Sequence, residues 1–164
     1  MTPRVYVACL ASYNNGILHG AWIDAAQHSD QIMEDIGAML ASSPMPDAEE
    51  WAVHDTDGLP DLGEWPDLDQ LSQIAQGIEE HGDAYRAYLE CFDADTTSIE
   101  DFQERYLGEY RDREDFAADW LEQTGGLADV PEHLQAYIDF DAYGRDLVMG
   151  GAVTEHDGHW FYND

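Results

Sequence analysis

Apolar and polar positions along this chain alternate near the N-terminus, turn helical in the middle and alternate again at the C-terminus. The apolar run Val5–Ala11 and the run Gly20–Asp24 read as strands on either side of an Asn14-Asn15-Gly16 turn. Ser29 then caps an amphipathic helix whose Ile32, Met33, Ile36, Met39 and Leu40 share one face, stopped by Ser43-Pro44-Met45-Pro46. Glu50–Asp55 is a third strand, and Asp55-Thr56-Asp57-Gly58-Leu59-Pro60 is a turn by composition.

From Asp67 the spacing of Leu68, Leu71, Ile74, Ala75 and Ile78 predicts a helix ending near His81-Gly82. Tyr85, Tyr88, Leu89 and Phe92 mark a second helix, and Thr97-Ser98-Ile99-Glu100 is a capping box opening a third. A further helix spans Asp112–Gln123 and stops at Gly125-Gly126, while Pro131 suits the first turn of another running towards Tyr137. Ala152–His156 and His159–Tyr162 flank Asp157-Gly158, a strong hairpin signal. The expected class is α+β in three small modules. These are an N-terminal α/β unit over 1–61, a helical segment over 62–103 and a C-terminal α+β unit over 104–164.

Charge changes this picture from ordinary to unusual. Six arginines and no lysine face 36 acids, giving a net charge of −30 over 164 residues. With 44% hydrophobic residues and 12% aromatics, and acids spread along the chain, this is no disordered acidic tail. Duplex DNA carries one charge per ~1.7 Å of axis, so a net −30 equals roughly 15 base pairs, about 50 Å of helix. Such a chain repels nucleic acid and membrane surfaces of like charge and attracts what binds them. Cys9 and Cys91 lack metal-type spacing and read as reduced thiols of a cytoplasmic protein. No run approaches a membrane span, and Val5–Ala11 is followed by no clear leader-cleavage site.

Asp112, Asp115, Asp119 and Glu122 fall at i, i+3, i+7 and i+10, one narrow stripe on a helix, with Phe116, Ala117, Trp120 and Leu121 roughly opposite. Like charges at these spacings cost about 0.2–0.5 kcal/mol each, roughly 1 kcal/mol for the stripe. A merely solvated helix would intersperse lysines. Glu100, Asp101 and Glu104, partly offset by Arg105, and the pair Glu79 and Glu80 extend the set of candidate partner-binding acids.

Catalytic readings are weak. Carboxylate pairs are inevitable among so many acids, and there is no nucleophile signature or phosphate loop, so no catalytic residue or cofactor is assigned. His156 and His159 read as surface hairpin residues rather than a metal pair. A calcium loop from Asp93 through Asp95, Thr97 and Glu104 has Ser98 where the sharp turn wants glycine. No metal site is assigned. Adaptation to high salt explains the composition equally well, so an acidic halotolerant or calcium-binding domain with a small-ligand role is the alternative.

The run from Val5 to Gly16, followed by His19-Gly20-Ala21-Trp22-Ile23-Asp24, closely resembles the opening of the ArdA-type antirestriction proteins. The resemblance continues through Glu49-Glu50-Trp51-Ala52-Val53-His54-Asp55, the Tyr137–Leu147 run with Gly144-Arg145-Asp146-Leu147, and the closing Gly158-His159-Trp160-Phe161. It implies a DNA mimic of conjugative plasmids, transposons or phages that occupies the DNA-binding groove of type I restriction–modification enzymes. The implied partner is their methyltransferase core, and the implied assembly an elongated, curved homodimer of three-domain chains. The family's antirestriction motif corresponds to about Leu127–Asp141, towards the implied dimer interface. Tyr137, Phe140 and Tyr143 are the candidate interface residues. A compact globule of this length is only about 40 Å across, so a track of about 50 Å favours an extended row of modules.

Overall fold

The structure is a computed structural model that describes residues 2–93 and 96–163. Among the described residues it has eight helices and two three-stranded sheets, an α+β chain. It divides into two compact units, Met1–Asp83 and Ala84–Asp164.

In the first unit, β1 (Arg4–Cys9) lies between β2 (Gly20–Asp24) and β3 (Trp51–Asp57), antiparallel to both. Val5, Val7 and Cys9 turn one face of β1 inward, where α2 (Ser29–Ala41) contributes Ile32, Ile36 and Met39 and α3 (Leu68–His81) contributes Leu71 and Ala75. Period-2 and period-3.6 apolar patterns therefore meet in one core. The first strand is shorter than its apolar run. Leu10–Tyr13 forms a single helical turn, α1, closed by Asn14 N–H to Leu10 O at 2.9 Å, and buried Ser12 sits 2.9 Å from the Ser43 hydroxyl.

Two details of α2 also differ from expectation. His28 rather than Ser29 is the N-cap, accepting Asp30 N–H at 3.1 Å, because the Ser29 hydroxyl is turned to Asp69 on α3. Met33 is exposed instead of lining the core. The third strand continues to Asp57, since Arg4 at the far end of β1 pairs with Asp57 at 2.7 Å and extends the ladder into the expected turn. Residues Gly63–Trp65 cover the open edge of β3: Val53 N–H donates to Glu64 O and the Trp65 indole donates to Trp51 O, both at 2.8 Å. An uncovered edge is a template for unwanted pairing.

The second unit begins with α4 (Asp83–Cys91) and α5 (Ile99–Arg105). Tyr85, Tyr88, Phe92, Phe102, Tyr106 and Phe161 form a continuous ring cluster with centroids about 5–6 Å apart. The cap of α5 is displaced one residue from the expected box. Ser98 accepts Asp101 N–H at 2.9 Å, while Thr97 is buried. Next come β4 (Tyr106–Glu109), α6 (Arg113–Gln123), the one-turn α7 (Glu132–Gln135) and α8 (Phe140–Met149). The C-terminal hairpin follows as β5 (Val153–His156) and β6 (His159–Tyr162).

The second sheet has the order β4-β6-β5. Asp157 (φ 50°) and Gly158 (φ 85°) supply the two left-handed positions its tight turn requires. His159, read from sequence as a surface residue, is buried: β6 is the central strand with both faces covered, and the His159 Nδ1 lies 2.9 Å from the Tyr106 hydroxyl. Phe116 of α6 stacks on Trp160 of β6 at 4.1 Å between centroids.

Helices α6 and α8 meet at Gly144, where an added Cβ would lie 2.8 Å from Arg113 O and 3.1 Å from Arg113 Cβ. Alanine gains about 1 kcal/mol over glycine in a helix interior, whereas overpacking against backbone costs about 1–3 kcal/mol. Gly144→Ala is therefore expected to lower the urea-unfolding midpoint. Gly37→Ala on α2, where a Cβ meets nothing within 4 Å, is expected to raise it.

Candidate functional site

The acids singled out by sequence lie on α3, α5 and α6, and their surroundings sort them into two kinds. On α6, Asp112 is the N-cap and accepts Asp115 N–H at 2.9 Å. Arg111 Nε sits 3.5 Å from Asp112 and 3.2 Å from Asp115. Asp119 accepts from the Tyr110 hydroxyl and from Gln123 Nε2 at 2.7 Å. Glu122 stands exposed with no ion pair among the described residues.

Geometry explains the difference. At 100° per residue Asp119 lies only about 60° from Phe116, so it borders the buried face. The acidic stripe and the apolar face are neighbours on the helix rather than opposites.

The same division recurs on the other helices. Asp101 of α5 accepts from the Tyr88 hydroxyl at 2.6 Å and from Arg105 Nε at 2.9 Å, which anchors α5 to the aromatic cluster. Glu100 and Glu104 are exposed, with no ion pair among the described residues. On α3, in the other unit, Glu79 and Glu80 are exposed, and Glu80 lies 3.8 Å from His81. Asp101 and Asp119 thus hold the fold together, and Glu79, Glu100, Glu104 and Glu122 face solvent.

The arginines are similarly committed. Arg4 pairs with Asp57, Arg105 with Asp101, Arg111 with Asp112 and Asp115, Arg113 with Asp141, and Arg145 with Asp146. The bridge from Arg113 to Asp141, 3.2 Å, joins α6 to α8. Little positive charge remains to offset the exposed glutamates.

Tyr137 is 84% exposed, beside the exposed Leu134, while Phe140 and Tyr143 are half-buried on α8. Neither β4 nor α8 is expected from the pattern. The first is four residues with Gly108 inside, and the second interrupts its apolar period with Gly144-Arg145-Asp146. The Asp139 cap, accepting Ala142 N–H at 3.0 Å, was the available signal for α8.

Among the described residues, no group of three or more His, Cys, Asp and Glu is arranged to hold a metal ion. Of the residues weighed for a calcium loop, Asp95 lies outside the described set, and Ser98 serves as a helix cap. No helix among them is long and apolar enough to cross a membrane.

Residues 5–162 match the family described as antirestriction protein (ArdA). The chain belongs to the ArdA antirestriction family. Among curated proteins none matches it significantly. The family match covers both units, so the exposed acids and the anchoring aspartates alike belong to the antirestriction protein.

Two measurements follow from the sorting of the acids. Asp119→Asn is expected to cost about 1.5 kcal/mol in urea unfolding, through loss of the charged acceptor for Tyr110. Glu122→Gln should stay within about 0.5 kcal/mol of the parent.

Burial, reinforced by Asp119, pushes the Tyr110 hydroxyl up to about 12, and burial with the Asp101 charge does the same for Tyr85. A pKa raised on folding means the protonated form is favoured in the native state. Its stabilisation is full below the unfolded value of 10.0 and is lost as pH rises towards about 12. Unfolding midpoints are expected to fall between pH 10 and pH 12, and less steeply in Tyr110→Phe.

Proposed function

We propose that this antirestriction protein is a DNA mimic. It blocks restriction by occupying the DNA-binding groove of a type I restriction–modification enzyme. The observation that carries the reading is the set of solvent-facing glutamates on folded helices, left without arginine partners in a chain of net charge −30. Lysines and arginines that attract phosphates attract such carboxylates by the same field. Folded helices fix the backbone that carries the carboxylates before contact, so only side-chain ordering remains to be lost on binding.

On this reading the chain is an inhibitor without catalytic residues or cofactor, acting in the cytoplasm. The target-contacting track comprises Glu79, Glu80, Glu100, Glu104, Asp112, Asp115 and Glu122, with Asp101 and Asp119 adding charge while they anchor helices. The chain works as an elongated homodimer of modules 1–61, 62–103 and 104–164. Exposed Tyr137, with Phe140 and Tyr143, supplies apolar area for the dimer contact.

Competition between this protein and a duplex for a purified type I methyltransferase core, followed by calorimetry at several salt concentrations, tests the proposal. Mutually exclusive binding that weakens as salt rises is expected, with a slope shallower than that of DNA, which sheds a condensed counterion layer. Single changes such as Glu122→Gln should be nearly silent, because one exposed ion pair is worth about 0–1 kcal/mol. Protein and duplex bound together on one core, neither affinity altered, would show that mimicry is the wrong account.

A further inference from the structure

The first unit carries exposed aromatic surface that charge alone does not explain. Two clefts of about 470 Å³ each border the residues that cover the β3 edge. One is lined by Leu10, Trp51 and Trp65 together with Glu49 and Glu50, and the other by Tyr13 and His54 together with Asp61 and Glu64. Trp65 is 65% exposed and Tyr13 53% exposed.

Both rings are held in place. The Trp65 indole donates to Trp51 O at 2.8 Å, and Tyr13 meets His54 edge-on at 4.9 Å, His54 being the extra residue of the β3 bulge. Tyr and Trp, which join a large apolar body to a polar handle, are enriched at protein contact surfaces. All four carboxylates are exposed and have no ion pair among the described residues. The unit contains one positive side chain, Arg4, which pairs with Asp57 and lies 4.9 Å over Trp22.

We infer that this face is a docking surface for arginine side chains projecting from a basic protein partner, each guanidinium lying on Trp65 or Tyr13 and reaching the flanking carboxylates. An apolar partner would strip water from four charges without compensation. A metal ion has no cluster of three ligands here. Arginine satisfies ring and carboxylate together, because its planar cation stacks on aromatics and forks to carboxylates, which the compact lysine ammonium does less well. Identifying the partner as a restriction enzyme rests on the proposed function; the chemistry of the face does not.

The test has two arms. In the first, the indole N–H signals of the protein are followed by NMR during titration with tetra-arginine, tetra-lysine or spermidine. Trp65 is expected to shift most with tetra-arginine, and Trp65→Leu to weaken that binding roughly 3- to 30-fold. Equal response to all three cations, or a Trp65→Leu affinity within twofold of the parent, would overturn the inference.

In the second arm, the same variant binds the methyltransferase core more weakly with an unchanged salt slope, since a ring contact releases no counterions, whereas Glu49→Gln with Glu50→Gln also flattens the slope. Should Trp65→Leu fail to fold, the double glutamine variant decides the first arm by the same twofold criterion. A parent that ignores the core but discriminates tetra-arginine would sink the proposed function and leave the docking surface standing. A parent that binds the core with Trp65→Leu neutral in both arms would do the reverse.

Discussion

Everything in this molecule is arranged around like-charge repulsion. At physiological salt the field of an exposed carboxylate is screened over about 8 Å, so the repulsion that matters is between neighbours on one helix or strand. Each such pair costs tenths of a kcal/mol, whereas burying a Phe, Ile or Val side chain contributes about 1.5–3 kcal/mol. A handful of large buried side chains therefore outweighs an unrelieved acidic helix face. The rings clustered about Tyr85, Tyr88, Phe102 and Phe161, and Phe116 on Trp160, provide that margin in the second unit. Val5, Val7, Ile32, Ile36 and Leu71 do so in the first.

Scarcity of positive charge makes the placement of each arginine informative. Arg4 ties the ends of β1 and β3, Arg105 of α5 lies 4.6 Å over the Phe92 ring of the aromatic cluster, and Arg113 ties α6 to α8. These are junctions where two elements meet and where a lone carboxylate would be partly desolvated. Elsewhere acids such as Glu79, Glu100, Glu104 and Glu122 are left facing water. A surface with interspersed lysines would carry less like-charge repulsion, so the deficit of cations is a cost to folding that the buried cores have to offset.

Much of the fold was legible because periodicity is local. The spacing from Leu68 to Ile78 and the Asp157-Gly158 turn needed only neighbours in sequence, and α3 and the hairpin lie where they predict. Beyond β4 and α8, the misses are tertiary. The end of β1 depends on Ser12 meeting Ser43, the cap of α2 on Ser29 being drawn to Asp69, and the burial of His159 on pairing with β4. None of these partners lies within one turn of the residue it redirects. The composition of the candidate site was legible too, since the acids were visible as residues. Which of them are load-carrying anchors was not, because Tyr88 finds Asp101 and Tyr110 finds Asp119 only once the chain is folded.

That last distinction bears on how an acidic protein evolves an acidic surface. An aspartate with a short side chain held by a tyrosine hydroxyl or an arginine is rigid, and its charge is fixed in direction as well as in place. A glutamate on an exposed helix face is mobile and fully hydrated, and it adjusts to a partner's lysines at the cost of rotamer entropy. The α6 surface combines both, with Asp115 and Asp119 anchored and Glu122 free. On the proposed reading, the anchored acids would set a field of defined orientation and the free ones would settle onto a partner's cations. Long-range attraction needs only the charges, while discrimination among basic partners needs shape as well. The exposed rings Trp65 and Tyr13 lie beside exposed carboxylates in the first unit, a shaped feature that a uniform polyanion lacks.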